Sequence, residues 1–356
     1  MALSRKTFGK PEDFPDDLKW HDVRDWGIEG KGWSNTRRYF DRFPAQAKAS
    51  VREPVWQLSR HSAGMAVRFV SDAAKIQVRY ILLSDELALS NMPATGVSGL
   101  DLYAEDADGN MRWVSVVAPN DQSMDIAIAD DLIPRKQRYT LYLPLHNSVG
   151  ALSIGVPPEA AFEPVAPRTK PPIVFYGTSI MQGLCASRPG MAFPAILGRR
   201  LNHPYLNLGF SGHGWMDLEV GALMGELEAA VFVLDCLPNM GEAAITARTV
   251  PFVRQLRAAR PDTPILLVED RTFANTPFFN DRAGYLQRRR NAYNRAYQSL
   301  LAEGIEQLYY LAGDQLLGDD GEATTDGSHP NDLGMMRYAD AYEPVLRAIL
   351  DSSAGM

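Results

Sequence analysis

Ile173-Val174-Phe175-Tyr176-Gly177-Thr178-Ser179-Ile180 is the stretch from which the fold can be read: four apolar residues run straight into a glycine and two hydroxyl residues. A short apolar run closed by a turn signal is the pattern of a strand buried on both faces, as in a parallel sheet. The segments that follow keep alternating. A helical pattern covers 193–201, strands are expected at 205–208 and 231–234, and a helix over 247–260 is broken by Pro261-Asp262 before a strand at 265–268. A helix over 285–303, a strand at 307–311 and a last helix over 332–350 complete the series. In that last helix Leu333, Met336, Ala339, Tyr342, Leu346 and Ile349 lie three and four apart, with Pro344 a candidate kink. Five strands alternating with helices predict an α/β unit with a doubly wound, flavodoxin-like parallel sheet.

Toward the amino terminus the pattern changes. Pro157, Pro158, Pro164, Pro167, Pro171 and Pro172 mark a connection without a regular ladder of backbone hydrogen bonds, which places a domain boundary near Arg168. The chain then divides into a β-rich unit over 1–165 and the α/β unit over 168–356. Strand-like runs at 65–69, 75–82, 100–105, 111–117, 124–128 and 138–143, with the hairpin signal Asp108-Gly109-Asn110, predict a β-sandwich-like antiparallel unit. The first 50 residues, with Trp20, Trp26, Trp33, Tyr39 and Phe40, read as a packed, mostly irregular lead-in to it.

Composition narrows the class. At 356 residues two units are expected, and 46% hydrophobic with 22% charged residues argues against a disordered or fibrous chain. The formal charge of -7 makes nucleic acid a poor partner, and the single basic block, Arg288-Arg289-Arg290, falls in a helical stretch and reads as a solvated or salt-bridged face. Residues 1–10 carry positive charge but no apolar run follows before Pro11, so no secretory signal is expected. Nor is any apolar run long enough to span a bilayer, so no membrane partner is expected. A cytoplasmic location is the expectation. Cys185 and Cys236 fit a reducing compartment, with one bond between them left open. A homo-oligomer is also left open.

Four segments carry unusual polar content where an α/β sheet places its chemistry, beyond the carboxyl ends of strands. Ser179 follows the first strand, and it can cap the next helix or serve as a nucleophile beside a helix amino terminus. Asn207-Leu208-Gly209-Phe210-Ser211-Gly212-His213-Gly214 follows the second strand and is either a flexible loop or a tight turn whose Gly212 N–H faces a ligand. His213 has no acid beside it in sequence and reads as structural. In Asp235-Cys236-Leu237-Pro238-Asn239, Asn239 can satisfy a turn or donate to an oxyanion, Asp235 reads as a buried partner of backbone N–H groups, and Cys236 as a small buried side chain. Last comes Asp326-Gly327-Ser328-His329-Pro330, in which His329 can accept a serine proton and Asp326 can fix its tautomer. An Asp-x-x-His pair alone is weak evidence. Together the four segments make a complete acyl-transfer set.

In this order the segments resemble the blocks of the SGNH or GDSL hydrolase superfamily. The resemblance implies Ser179 as nucleophile, Asp326 and His329 as the rest of the triad, and the Ser179 N–H, Gly212 and Asn239 as oxyanion donors. Two positions depart from the pattern: Thr178 stands where an aspartate is usual, and Met240 where the third block commonly has one. Gly99-Leu100-Asp101-Leu102-Tyr103 resembles the Gly-x-Asp-Leu-Tyr segment of the β-rich domain that precedes one branch, a branch similar to carbohydrate acetyl esterases. Apart from that resemblance, Asp101 reads as a structural strand residue.

The function expected is a serine esterase removing a small acyl group, acetyl in first place, from a sugar or other polar alcohol, such as an oligosaccharide ester. The polar blocks and the lack of a long apolar lid segment near Ser179 weigh against a triglyceride lipase. An acyl thioesterase is the nearest alternative, and an inert carbohydrate-binding protein using Trp215, Trp113 and Trp56 is another. No cofactor or metal is expected: His21, His61, His146 and His203 are scattered without zinc-like spacing.

Overall fold

The structure is a computed structural model describing residues 18–353. Residues 1–10, expected above to lack a secretory signal, lie outside the described residues. The amino-terminal half contributes β1 (Lys19–Asp22), α1 (Glu53–Leu58), β2 (Ala66–Ser71), β3 (Ile76–Leu82), α2 (Ala94–Val97), β4 (Asp101–Glu105), β5 (Met111–Val116), β6 (Ser123–Ala129), β7 (Gln137–Tyr142), β8 (Val149–Val156) and β9 (Phe162–Val165). The strands form two antiparallel sheets, ordered β1-β8-β3-β6 and β5-β4-β7-β2-β9. Val67, Phe69, Leu102 and Leu141 of one sheet share a core with Val78, Tyr80, Leu152 and Ile154 of the other, as the expected sandwich requires.

Three strands fall where none was expected. Val149–Val156 is interrupted by Gly150, Ser153 and Gly155, which blur its alternation, and Gly155 leaves room for the Trp20 ring, since a Cβ there would lie 2.9 Å from it. That strand pairs with β3 on one side and, on the other, with β1, inside the supposedly irregular lead-in. The proline-rich connection also holds a ladder, because β9 pairs with β2 through a register that includes Phe69↔Pro164. As the edge strand of its sheet, β9 tolerates a proline that a central strand would not.

The carboxy-terminal half reads β10 (Ile173–Gly177), α3 (Ser179–Gln182), α4 (Phe193–Arg200), β11 (Tyr205–Gly209), α5 (Leu218–Gly225), β12 (Val231–Asp235), α6 (Glu242–Ala259), β13 (Ile265–Val268), α7 (Arg282–Ala302), β14 (Leu308–Leu311) and α8 (Asp332–Ser353), with Pro344 inside α8. Its sheet is parallel throughout, in the order β11-β10-β12-β13-β14, the doubly wound arrangement expected. Side chains alternate between two cores. Ile173 and Phe175 face α4 and α8, while Val174 and Tyr176 face the other side.

The same alternation joins the halves. In β4 and β7, Leu102 and Leu141 point into the sandwich, whereas Tyr103 and Tyr142 join the core that holds Phe175 and Phe193. The opposite face of the parallel sheet is covered in part by Trp33, Phe43, Ala47, Val55 and Trp56. Trp33, Phe43 and Ala47 of the lead-in, and Val55 and Trp56 just after it, therefore pack on the parallel sheet rather than on the sandwich.

Candidate active site

Ser179 is the first residue of α3, immediately beyond the carboxyl end of β10. The capping duty open to a serine there falls on Thr178, whose side chain accepts from Ile180 N–H at 3.3 Å. That leaves the Ser179 hydroxyl free. Its Oγ lies 2.9 Å from Nε2 of His329, and Nδ1 of His329 lies 2.7 Å from Oδ2 of Asp326. With Nδ1–H donating to the carboxylate, Nε2 is the lone-pair nitrogen that faces the serine.

The Asp326 loop closes on itself. Its Oδ1 accepts the N–H groups of Ser328 and His329 at 3.0 and 2.8 Å. Burial alone would raise the Asp326 carboxyl, but the His329 backbone and ring, together with Asn91, hold it down at about 2. Asn91 comes from the amino-terminal half and donates to Oδ2 at 3.1 Å. Cys185 sits beside this pair; one potential ligand atom from each of Cys185, Asp326 and His329 lies within 4.8 Å of the others. Burial pushes its thiol up to about 11, so it is a neutral neighbour rather than a thiolate.

Gly212 and Asn239 follow the ends of β11 and β12, the two strands that flank β10. Gly212 has φ +72, which favours glycine, and it is exposed with nothing within 4 Å of a Cβ position. Gly214 is constrained differently: a Cβ would lie 2.2 Å from the Gly177 carbonyl oxygen, so the loop rests directly on the strand end that carries Ser179. Among the described residues neither the Ser179 N–H nor the Gly212 N–H has an acceptor. Asn239 accepts the Gly214 N–H through Oδ1 at 3.3 Å, which fixes its amide orientation and leaves its NH2 without a described acceptor. Three donors, the Ser179 and Gly212 N–H groups and the Asn239 amide, are thus without an acceptor among the described residues. The hydroxyl, an imidazole oriented by a carboxylate, and unpaired N–H donors are the parts needed for acyl transfer.

A buried brace ties the loops together, and sequence reasoning missed it. Asp270, fully buried, accepts from Arg289 Nη1 at 2.6 Å and from Arg271. Arg289 also donates to the Met240 carbonyl at 2.7 Å, next to Asn239, and Arg271 donates to the Ser328 carbonyl at 3.2 Å and to its hydroxyl, next to His329. The basic block is therefore split: Arg288 is exposed and pairs with Asp281, while Arg289 and Arg290 are buried. Of the expected solvated or salt-bridged face, solvation holds for Arg288 alone, whereas all three are salt-bridged, Arg289 to Asp270 and Arg290 to Asp314. The signal available was the buried strand end Glu269-Asp270-Arg271, whose charges need partners.

Asp235 is fully buried, but its partner is the Tyr342 hydroxyl at 2.7 Å and not a backbone N–H. Cys236 is a buried side chain, and the two cysteines are unbonded. His213 stands outside the serine line, with Nδ1 3.1 Å from Arg52 and its ring against Trp215. Trp56 is a core residue at 1% exposure, so it is not available for sugar stacking, whereas Trp113 is 50% exposed. Asp101 is fully buried and clamps the halves together. Its Oδ1 accepts Trp113 Nε1 at 3.0 Å, and its Oδ2 accepts Gly190 N–H at 2.8 Å and Arg188 at 3.1 Å. Among the described residues no helix is long and apolar enough to cross a membrane.

Residues 169–347 match the GDSL-like Lipase/Acylhydrolase family, and residues 18–162 match the family described as the N-terminus of Esterase_SGNH_hydro-type. The chain is similar to a protein from Bacteroides ovatus assigned as a GDSL-like lipase, with 34% identity and a TM-score of 0.89 over 94% of this chain and 98% of that one. A salicylyl-acyltransferase from a tetracycline biosynthetic pathway shares the fold at 17% identity and a TM-score of 0.74, covering 94% and 98% of the two chains. So does a family two carbohydrate esterase from Cellvibrio japonicus, at 12% identity and a TM-score of 0.63 over the same shares. No curated protein matches the sequence.

Proposed function

The chain belongs to the GDSL-like Lipase/Acylhydrolase family and is an SGNH-type serine esterase, and from that premise we propose that it removes a small acyl group, acetyl first, from a sugar or other polar alcohol. The observation that carries the site assignment is the hydrogen-bonded line Ser179–His329–Asp326. His329 Nε2 takes the Ser179 proton as Oγ attacks the ester carbonyl, and Asp326 stabilises the imidazolium that forms. The oxyanion is met by the Ser179 and Gly212 N–H groups and the Asn239 NH2. His329 then protonates the departing alcohol, leaving an acyl-serine, and a water deprotonated by His329 releases the acid and restores the hydroxyl. The sugar alcohol draws support from the carbohydrate esterase among the proteins of this fold. A cytosolic location belongs to the same proposal, supported by two unpaired cysteines.

The test is Ser179→Ala, assayed on an acetylated sugar and on an acyl thioester of matched chain length. The folded variant is expected to lose on the order of a millionfold in kcat, the scale found when a serine nucleophile is removed. Activity comparable to the parent would overturn Ser179 as nucleophile. Faster thioester than ester turnover in the parent would move the assignment to a thioesterase, and sugar binding without turnover to an inert binding protein.

A further inference from the structure

Gln182 lies one helical turn after Ser179 on α3, is fully buried, and its amide touches both halves of the molecule. Oε1 accepts the Ser211 N–H at 3.1 Å. Nε2 lies 3.0 Å from the Leu145 carbonyl oxygen, 3.0 Å from His61 Nδ1 and 3.3 Å from His146 Nδ1. These partners settle the orientation. A backbone N–H can only donate and a backbone carbonyl can only accept, so the oxygen must face Ser211 and the nitrogen Leu145. One amide hydrogen goes to Leu145 and the other to the imidazoles, His61 being the nearer. Both rings must present a bare Nδ1. They are suited to do so, because burial drives His61 down to about 3 and His146 well below its ordinary range.

The loop is held on both sides of Gly212: the His213 N–H donates to the Phe210 carbonyl at 2.8 Å, and Arg52 donates to the His213 carbonyl at 3.0 Å. Gly212 has no side chain, is exposed, and has nothing within 4 Å of its Cβ position. Besides that turn and Arg52, its anchors are Ser211 on Gln182, which is the side-chain hold nearest before Gly212, and Gly214 on Asn239 and the Gly177 backbone. Arg42, also from the amino-terminal half, fixes the strand end before the loop by donating to the carbonyls of Asn207 and Gly209 at 2.9 and 2.7 Å.

We propose that Gln182 is a positioning residue for the oxyanion loop, transmitting to the Gly212 N–H the placement set by Leu145, His61 and His146 of the amino-terminal half. This rests on the assignment of Ser179 and Gly212 made above. A donor misplaced by about an ångström can cost on the order of a hundredfold in rate, so the effect should fall on kcat and on transition-state mimicry rather than on substrate affinity.

The experiment compares the full-length parent with Gln182→Leu, of similar size and without hydrogen bonds, and with the double variant His61→Leu/His146→Leu, which removes the imidazole acceptors and leaves Gln182 in place. Each is assayed on p-nitrophenyl acetate and titrated with an alkylboronic acid, whose tetrahedral adduct on serine puts an oxygen in the oxyanion position. Gln182→Leu is expected to lower kcat at least about tenfold with KM changed less than about threefold, and to weaken boronate binding by a similar factor. The double variant should move the same two quantities in the same direction by about threefold or more. A folded Gln182→Leu protein with parental kcat and boronate affinity overturns the proposal. If Gln182→Leu does not fold, parental values in the double variant overturn it instead. Ser179→Ala run alongside keeps the two readings apart: retained activity there removes the nucleophile, whereas loss there with an unaffected Gln182→Leu removes only the role given to Gln182.

Discussion

Asp235 is a carboxyl in an unusual position at the end of β12, with Oδ2 on the Tyr342 hydroxyl and Oδ1 buried without a partner among the described residues. Burial pushes it up to about 7, the negative charge of Asp270 adds to the rise, and the hydrogen bond from Tyr342 works against it. An unfolded aspartate titrates near 4. Between about pH 4 and 7 the folded state therefore keeps a proton that the unfolded chain has released, and stability falls as pH rises through that window, then levels off. Asp235→Asn keeps a group able to accept from Tyr342 and removes the titration. The melting temperature of the variant minus that of the parent should climb from about pH 4 to 7 and be flat above it. Melts over that range would expose the error if the difference stayed constant. The sequence pointed to the burial of Asp235 but to the wrong partner, a backbone N–H in place of the Tyr342 hydroxyl. Ser179, Asp326 and His329 were legible as positions because each terminates or precedes an element in a sheet whose active edge follows from topology. Gln182, Asn91 and Asp270 were not, because their partners lie far away in sequence and no local pattern announces a tertiary hydrogen bond.

The three consecutive arginines of α7 show why an element must be known before its charges can be interpreted. Successive residues on a helix are rotated by about 100°, so Arg288, Arg289 and Arg290 cannot share a face. Arg288 reaches Asp281 in solvent, Arg289 reaches Asp270 and Met240, and Arg290 donates to the Asp270 carbonyl at 2.7 Å. Removing one partner of a buried ion pair costs about 3–5 kcal/mol, because the other charge is left stranded. Arg289→Met should therefore destabilise the protein on that scale by denaturant titration and also slow turnover, since it frees the loop that carries Asn239. Arg288→Ala should leave both measurements close to the parent. Equal effects from the two substitutions would show that the brace is not what holds the loop. The strands teach the same lesson from the other side. Those with clean alternation, such as Ile76–Leu82 and Gln137–Tyr142, were legible to within a residue or two. Val149–Val156 and Phe162–Val165 were not, because glycine and proline, read locally as breakers, are there accommodated by the Trp20 ring and by an edge position.

At the scale of the whole molecule, the parallel sheet of the carboxy-terminal half is completed by residues from the start of the chain. The α/β and sandwich architectures were both legible from periodicity, but the sharing of surfaces between them was not, since aromatics in an irregular segment carry no mark of which core they fill. Trp33, Phe43, Val51, Val55 and Trp56 are buried against the face that contains Val174, Tyr176, Leu206 and Leu208. Tyr103 and Tyr142 close the other core beside Phe175 and Phe193. Arg42, buried and with no carboxylate in its hydrogen-bond set, spends its guanidinium on carbonyls of both segments: Leu58 and His61 on one side, Asn207 and Gly209 on the other. At about 1.5–3 kcal/mol for each large apolar side chain buried, Trp33, Phe43, Val51, Val55 and Trp56 alone represent burial comparable to the 5–15 kcal/mol net stability of a typical domain. A fragment beginning near Arg168, where we propose the domain division, would expose both of these faces. It is expected to be aggregation-prone and to lack a cooperative thermal transition by circular dichroism, and therefore to hydrolyse neither a small acetate ester nor an acetylated oligosaccharide. A soluble fragment that melts cooperatively and cleaves p-nitrophenyl acetate at the parental kcat would instead show that the amino-terminal half is an appendage. A cooperative fold with kcat lowered at least about tenfold on that small ester would separate the two contributions: the parallel sheet would then be stable without the lead-in, and the loss would trace to the oxyanion loop released from His61, His146 and Arg42.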